Sequence, residues 1–164
     1  MKKVDWLNWE SSILDIYNIE YIKNPEDIPD NVLWSSRCSR TKTGKDNALP
    51  NEFYVSAINL GFYKYCEKNG FRYGILSDLY GVHFDDERLD FYDIHPTALT
   101  MERKKELGII IRNKCRKRNY SKIIYYNSGP IMSKPYFDML YYSGLKAYFI
   151  TKLPNLNPKL KGIL

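Results

Sequence analysis

The sequence predicts an α/β domain with a three-layer, Rossmann-like or flavodoxin-like architecture: a mainly parallel sheet with helices on both faces. Short apolar stretches of strand length alternate with longer stretches that have helical spacing, and such alternation favours right-handed crossovers between parallel strands. The composition is typical of a globular protein, with 44% hydrophobic and 27% charged residues among 164. Polar, small residues follow three of the predicted strands, as expected at the ligand-binding edge of such a sheet.

Each predicted element has a local reason. Apolar runs of strand length cover 32–36, 73–77, 122–126 and 146–150. Apolar residues at helical spacing predict helices over 52–69, 97–117 and 132–143. Asn69-Gly70 and Gly144 stand where helices end, because glycine adopts the left-handed conformation that closes a helix. Residues 78–96 are predicted to form a long loop.

Residues 1–30 are predicted to form an N-terminal extension, and residues 31–164 a single α/β domain. Apolar residues between Val4 and Tyr17 indicate a short helix or an irregular lid, and the Pro-containing segment 24–30 indicates a turn before the first strand. No apolar run approaches the roughly 20 residues of a membrane span. The N-terminus lacks the apolar region of a signal peptide, so we expect a cytoplasmic protein without a membrane partner.

Charge and cysteine usage narrow the expected partners. Three widely spaced cysteines, at positions 38, 66 and 115, form neither a disulfide framework nor a metal-binding pair, and only two histidines are present. We therefore expect no metal and no cofactor. The net charge of +6 and the 15 tyrosines favour a nucleotide or a nucleic acid, DNA or RNA, as partner. The same composition is also typical of proteins from AT-rich genomes.

The loops after three predicted strands supply a candidate binding site. In a parallel sheet these loops lie at one edge, so residues distant in sequence converge there. Turns also select such residues, which leaves a purely structural interpretation open for each loop. Cations would hold phosphate, and Tyr80 would stack on a base. The predicted substrate-binding residues from these loops are Ser36, Arg37, Ser39, Arg40, Lys42, Ser77, Tyr80, Asn127 and Ser128.

Cys38 and Asp78 are the candidate catalytic residues. The neighbouring Arg37 and Arg40 are expected to favour the thiolate form of Cys38, which a nucleophile requires. Asp78 ends a core strand, where a charge is costly, and would act as a general base or stabilise a cationic sugar. The structural alternatives are a cysteine that only packs and an aspartate that caps a turn.

A basic run lies at the end of the helix predicted over 97–117. It suits a solvated helix terminus, where cations interact favourably with the helix dipole, or alternatively a contact with a phosphate backbone. Its candidate nucleic-acid-binding residues are Arg112, Lys114, Arg116, Lys117 and Arg118.

The order of motifs between Ser36 and Leu164 resembles a little-characterised family of small α/β domains. The motifs that carry the resemblance are Cys38-Ser39-Arg40-Thr41-Lys42, Tyr54-Val55-Ser56, Ile75-Leu76-Ser77, Tyr92-Asp93 and Pro158-Lys159-Leu160-Lys161-Gly162. The Cys-Ser-x-x-Lys element is also similar to the start of a motif in the lysine-transferring domain of archaeosine synthase, a tRNA base-modifying enzyme. This chain has Thr43-Gly44 where that motif continues with Pro-Tyr. The resemblance implies chemistry on a base or nucleotide, and it adds Asp93 to the predicted substrate-binding residues.

Two functions are consistent with these patterns, besides an inert relative that serves as a structural subunit. The first is an enzyme that acts on a nucleobase or nucleotide, by base removal or base modification, and that would flip a base out of a duplex to reach it. The alternative is a non-catalytic nucleic-acid-binding module that uses the basic run and exposed tyrosines.

Overall fold

A sheet of six strands runs through the part of the chain that the structure, a computed structural model, describes: residues 2–39, 42–94 and 98–156. The strand order is β1-β6-β5-β2-β3-β4. The strands are β1 (Ile19–Tyr21), β2 (Leu33–Arg37), β3 (Tyr73–Ser77), β4 (Gly81–Phe84), β5 (Lys122–Tyr126) and β6 (Lys146–Ile150).

Five neighbouring strands pair in parallel, from β1 through β6, β5 and β2 to β3, and only β4 runs antiparallel, paired with β3. The predicted α/β class with a mainly parallel sheet is therefore confirmed. From β2 the chain crosses to β3 on one side and later to β5 on the other. The strand order thus reverses between β2 and β5, and their carboxyl ends lie at one edge together with that of β3.

Five α-helices occur in the described residues: α1 (Trp9–Tyr17), α2 (Pro50–Phe53), α3 (Ala57–Asn69), α4 (Met101–Lys117) and α5 (Lys134–Ser143). The single helix predicted over 52–69 is wrong, since Tyr54 has extended backbone and Ser56 caps a new helix by accepting from the Asn59 amide. Gly70 and Gly144 end α3 and α5 in the left-handed conformation, as predicted. No helix in the described residues is long and apolar enough to cross a membrane.

Two strands lie where none was predicted. The segment interpreted as an N-terminal extension contributes α1 and, after a left-handed turn at Asn18, the edge strand β1. The prediction of a continuous loop over 78–96 is also wrong, because residues 81–84 form β4, which is buried along its whole length. A strand of three residues and one that carries a histidine inward leave no clear apolar pattern in the sequence.

Aromatic side chains fill much of the core. Trp34 is 2% exposed and stacks on Phe71, with ring centroids 4.7 Å apart. On another side of the molecule, α4 and α5 approach so closely that a Cβ atom at Gly108 would lie 2.8 Å from the Met139 carbonyl oxygen. This close packing fixes α5, whose first turns reach the carboxyl edge of the sheet.

Candidate functional site

The ends of β2 and β5 are joined by side chains at the point where the strand order reverses. The Arg37 Nε donates to the Asn127 Oδ1 atom over 3.3 Å, and the Asn127 Nδ2 donates to the Ser133 hydroxyl over 2.9 Å. Asn127 is fully buried, whereas Arg37 is partly exposed. The backbone amide of Ser128 also donates to Asn127 Oδ1, which fixes the orientation of the side-chain amide. The guanidinium is therefore held at the rim of the sheet edge by a rigid buried partner.

Cys38 and Asp78 meet below this rim. The Cys38 thiol donates to Asp78 Oδ2 over 3.1 Å, and its sulfur lies 3.3 Å from the Tyr136 hydroxyl of α5. All three side chains are at most 3% exposed. The loops after β2 and β3 and the helix α5 thus meet at one buried cluster, which we call the Cys38–Asp78–Tyr136 cluster.

The expectation of a reactive Cys38 thiolate is wrong. Burial, together with the negative charge of Asp78, raises the pKa of the Cys38 thiol to about 12, and the opposing effect of Lys42 is smaller. Cations beside a cysteine are visible in the sequence, whereas desolvation, which disfavours the charged form, depends on the fold. At neutral pH Cys38 is a neutral hydrogen-bond donor.

The remaining predicted binding residues divide by exposure. Ser36, Ser39 and Ser77 are buried, and the Ser36 hydroxyl donates to the Tyr126 carbonyl across β2 and β5. Lys42 and Tyr80 are partly exposed, whereas Ser128 and Asp93 lie on the surface. Arg40 lies outside the described residues. The ends of β2, β3 and β5 thus bring Arg37, Ser77 and Asn127 to one edge of the sheet, and four of the nine predicted binding residues in the described part of the chain are buried.

Sequence reasoning missed a chain of buried hydroxyl and imidazole groups behind Ser77. The Ser77 hydroxyl donates to Tyr92 over 2.8 Å, Tyr92 lies 3.1 Å from the Tyr54 hydroxyl, and Tyr54 lies 3.4 Å from His83 Nδ1. His83 Nε2 lies 2.7 Å from the Glu87 carbonyl oxygen. Tyr54 and Tyr92 belong to the motifs that carry the family resemblance, which was the signal available for finding them.

The burial of His83 predicts a pH-dependent stability. Desolvation lowers its pKa below the usual 6.5, so at mildly acidic pH the unfolded chain binds a proton that the folded chain does not. We expect the free energy of unfolding to fall as pH drops below about 6.5, by up to about 1.4 kcal/mol per unit, until the folded pKa is reached. Above pH 6.5 the contribution of His83 to the free energy of unfolding is constant. The carboxyl pKa values of Asp86 and Glu52 are lowered from 3.8 and 4.5, so these two groups change the free energy of unfolding only in more acidic solution.

Denaturant unfolding between about pH 7 and about pH 5 measures this slope. The variant His83→Gln should flatten it, while His95→Gln, the other histidine of the chain, should leave it in place. Parallel curves for the wild type and His83→Gln would contradict the prediction.

The basic run does not form one exposed cluster. Lys114 Nζ lies 2.9 Å from Glu87 Oε1, and Arg118 Nη1 lies 2.7 Å from Asp86 Oδ1. Arg118 also lies over the Phe84 ring, 3.9 Å from its centroid. Arg112 is partly buried, and Arg116 and Lys117 are exposed. Two of the five cations therefore tie α4 and its end to residues of β4 and the turn that follows it.

Comparisons with known proteins add no relative. No family model matches the chain, and no curated protein or solved structure matches it. Among the described residues, no group of three or more His, Cys, Asp or Glu side chains is placed to hold a metal ion.

Proposed function

We propose that the protein is an enzyme that binds a nucleobase or nucleotide at the carboxyl edge of the sheet, between β2 and β5, and removes or modifies the base. The observation that carries the proposal is a fully buried carboxylate, Asp78, held by the Cys38 thiol beside the Arg37–Asn127 pair. A buried charge costs stability, and such costs are typical of functional sites. The resemblance to a base-modifying enzyme supports the same chemistry.

The exposed rim supplies the groups for binding. Arg37 and Lys42 are partly exposed cations suited to a phosphate, and Lys42 Nζ lies 4.9 Å from the centroid of the Tyr92 ring. Tyr80 is partly exposed, and its hydroxyl donates to the Asp90 carbonyl, which fixes the ring as a stacking surface for a base. We assign phosphate binding to the two cations and base stacking to Tyr80.

Asp78 is the proposed reacting carboxylate. In base removal it accepts a proton from water as the water oxygen bonds to the sugar carbon and the base leaves with the electrons of the broken bond. Cys38 holds the carboxylate by donating a hydrogen bond and forms no covalent intermediate. Because Asp78 has no exposed surface, substrate reaches it only when a covering group moves.

The proposal includes a doubly wound, three-layer arrangement of the helices, with α3 on one face of the sheet and α4 and α5 on the other. It is supported by the reversal of strand order between β2 and β5 and by the right-handedness of parallel crossovers. In sheets of this kind ligands bind outside the carboxyl ends of the strands at the point of reversal.

Nucleotide titration tests the proposal. Calorimetry with a panel of nucleoside monophosphates should give saturable binding, and the double variant Arg37→Gln/Lys42→Gln should weaken it at least about tenfold, since a hydrogen bond to a charged group contributes about 1.5–3 kcal/mol. The matched control is Lys64→Gln, which removes an exposed cation of α3. Absence of saturable binding, or equal binding by the double variant, would overturn the proposal.

A second titration, with single-stranded oligonucleotides, distinguishes the proposed enzyme from a nucleic-acid-binding module. A module would bind single-stranded oligonucleotides with a steep salt dependence, and the Arg116→Gln/Lys117→Gln variant would flatten that dependence. The exposure of these two cations is the observation that favours the module. An oligonucleotide affinity that depends on them, without nucleotide binding at Arg37, would support the module over the enzyme.

A further inference from the structure

The hydrogen-bond chain behind Ser77 has a fixed direction, which begins at His83. The Glu87 carbonyl oxygen, 2.7 Å from His83 Nε2, can only accept, so Nε2 carries a hydrogen. A neutral imidazole has one N–H, so Nδ1 accepts from the Tyr54 hydroxyl. Burial lowers the pKa of His83, which is consistent with a neutral ring.

The direction of donation is fixed along the whole hydrogen-bond chain because each hydroxyl has only one hydrogen to donate. The Tyr54 hydroxyl donates its one hydrogen to His83, so the Tyr54 oxygen accepts from the Tyr92 hydroxyl. The Tyr92 oxygen therefore accepts from the Ser77 hydroxyl, over 2.8 Å. The lone pairs of the Ser77 oxygen accept from the backbone amides of Leu79 and Tyr80, over 3.2 and 3.0 Å.

The surroundings of His83 complete this picture. On its own side of the hairpin, the Glu87 carboxylate favours a charged ring, and the Ala48 carbonyl acts in the same sense from the segment before α2. From α4, the Lys114 ammonium opposes a charged ring. The Phe53 and Tyr54 rings of the α2 segment and the Tyr80 ring lie edge-on to the imidazole. Desolvation by burial has the largest effect on the His83 pKa, and it favours the neutral ring.

We infer that His83 is a positioning residue, because its tautomer requires the Ser77 hydroxyl to donate its hydrogen to Tyr92. Ser77 therefore orders the turn after β3 by accepting hydrogen bonds, and it donates no hydrogen bond to a ligand. The turn it orders carries Asp78 and Tyr80 into the candidate site. The importance of this placement for catalysis rests on the proposed function. The direction of the hydrogen bonds does not, since it follows from the hydrogen-bond capacity of the groups and the neutral state of the His83 ring.

Nitrogen NMR of the labelled full chain tests the inference at neutral pH. The protein has two histidines, so in the His95→Gln variant the only imidazole nitrogen signals come from His83. We expect a neutral ring with its hydrogen on Nε2. In chains of this kind each donor strengthens the next, so Ser77→Ala and Tyr92→Phe should each shift the Nδ1 resonance. The control Tyr65→Phe removes a hydroxyl that donates to the Pro154 carbonyl and takes no part in the hydrogen-bond chain, so it should not shift the Nδ1 resonance.

An Nδ1–H tautomer, a charged ring, or an Nδ1 resonance that neither variant moves would overturn the inference. Should Tyr92→Phe fail to fold, Ser77→Ala alone decides, because it removes only one hydroxyl. The measurement uses no ligand. Its failure therefore leaves the proposed function standing, and a failed nucleotide titration leaves the tautomer result standing.

Discussion

Replacing Asp138 by Ala is expected to lower the free energy of unfolding by about 3–5 kcal/mol, the usual effect of removing one partner of a buried ion pair. Asp138 of α5 is fully buried. Its Oδ2 atom lies 2.8 Å from Lys104 Nζ of α4, and its Oδ1 atom accepts from the Tyr17 hydroxyl of α1 over 2.9 Å. The substitution leaves a mostly buried ammonium and a buried hydroxyl without their acceptor. Three helices lose their common polar contact.

Chemical denaturation with a matched exposed pair measures this effect. Asp15 pairs with Lys2 at 3.6 Å, and both side chains are largely exposed. We expect Asp15→Ala to cost no more than about 1 kcal/mol. The double variant Lys104→Met/Asp138→Leu should cost less than Asp138→Ala, since it removes both charges. Equal losses for Asp138→Ala and Asp15→Ala would show that the buried pair contributes little.

Much of the sheet was predictable because local patterns fix it. The strands β3, β5 and β6 have the predicted bounds, and β2 differs by one residue at each end. Each is an apolar run that ends in a polar junction. The convergence of these junctions at one edge follows from parallel pairing, so the contacts between Arg37 and Asn127 and between Cys38 and Asp78 lay within reach of sequence reasoning.

The missed features depend on contacts distant in sequence. The strand β4 contains His83, which is accommodated only because Tyr54 and the Glu87 carbonyl satisfy its two nitrogens. Asp138 lies amid apolar residues of α5 and is stabilised by Lys104 and Tyr17, 34 and 121 residues away. A one-dimensional pattern does not show which partner satisfies a buried polar group.

Cys38 shows how burial reverses a conclusion drawn from neighbouring residues. Two arginines beside a cysteine suggest a stabilised thiolate. In the fold, the Arg37 side chain turns toward Asn127, while the thiol points into the interior against the Asp78 carboxylate. The thiol therefore contacts a negative charge, and its own charged form is disfavoured twice, by desolvation and by repulsion.

Cys38 is accordingly expected to resist alkylation in the native protein. Only the thiolate attacks iodoacetamide, and a pKa raised from 9.0 to about 12 lowers the thiolate fraction about 1000-fold at neutral pH. The fully buried Cys66 and Cys115 serve as internal controls, since burial also raises the pKa of both thiols. Mass-spectrometric mapping should find all three cysteines unmodified in the native state and modified at similar rates in denaturant.

The variant Asp78→Asn distinguishes the effect of burial on the Cys38 pKa from the effect of the Asp78 charge. In Asp78→Asn the repulsive charge is gone while the side-chain volume is nearly unchanged, so the Cys38 pKa should fall toward that of a merely buried thiol. Alkylation of Cys38 should then be faster than in the wild type but still slower than in denaturant, with Cys66 and Cys115 unaffected. Native Cys38 that reacts faster than both other cysteines would contradict this account. It would restore the thiolate as a candidate nucleophile and remove the donor role that the proposed mechanism gives it.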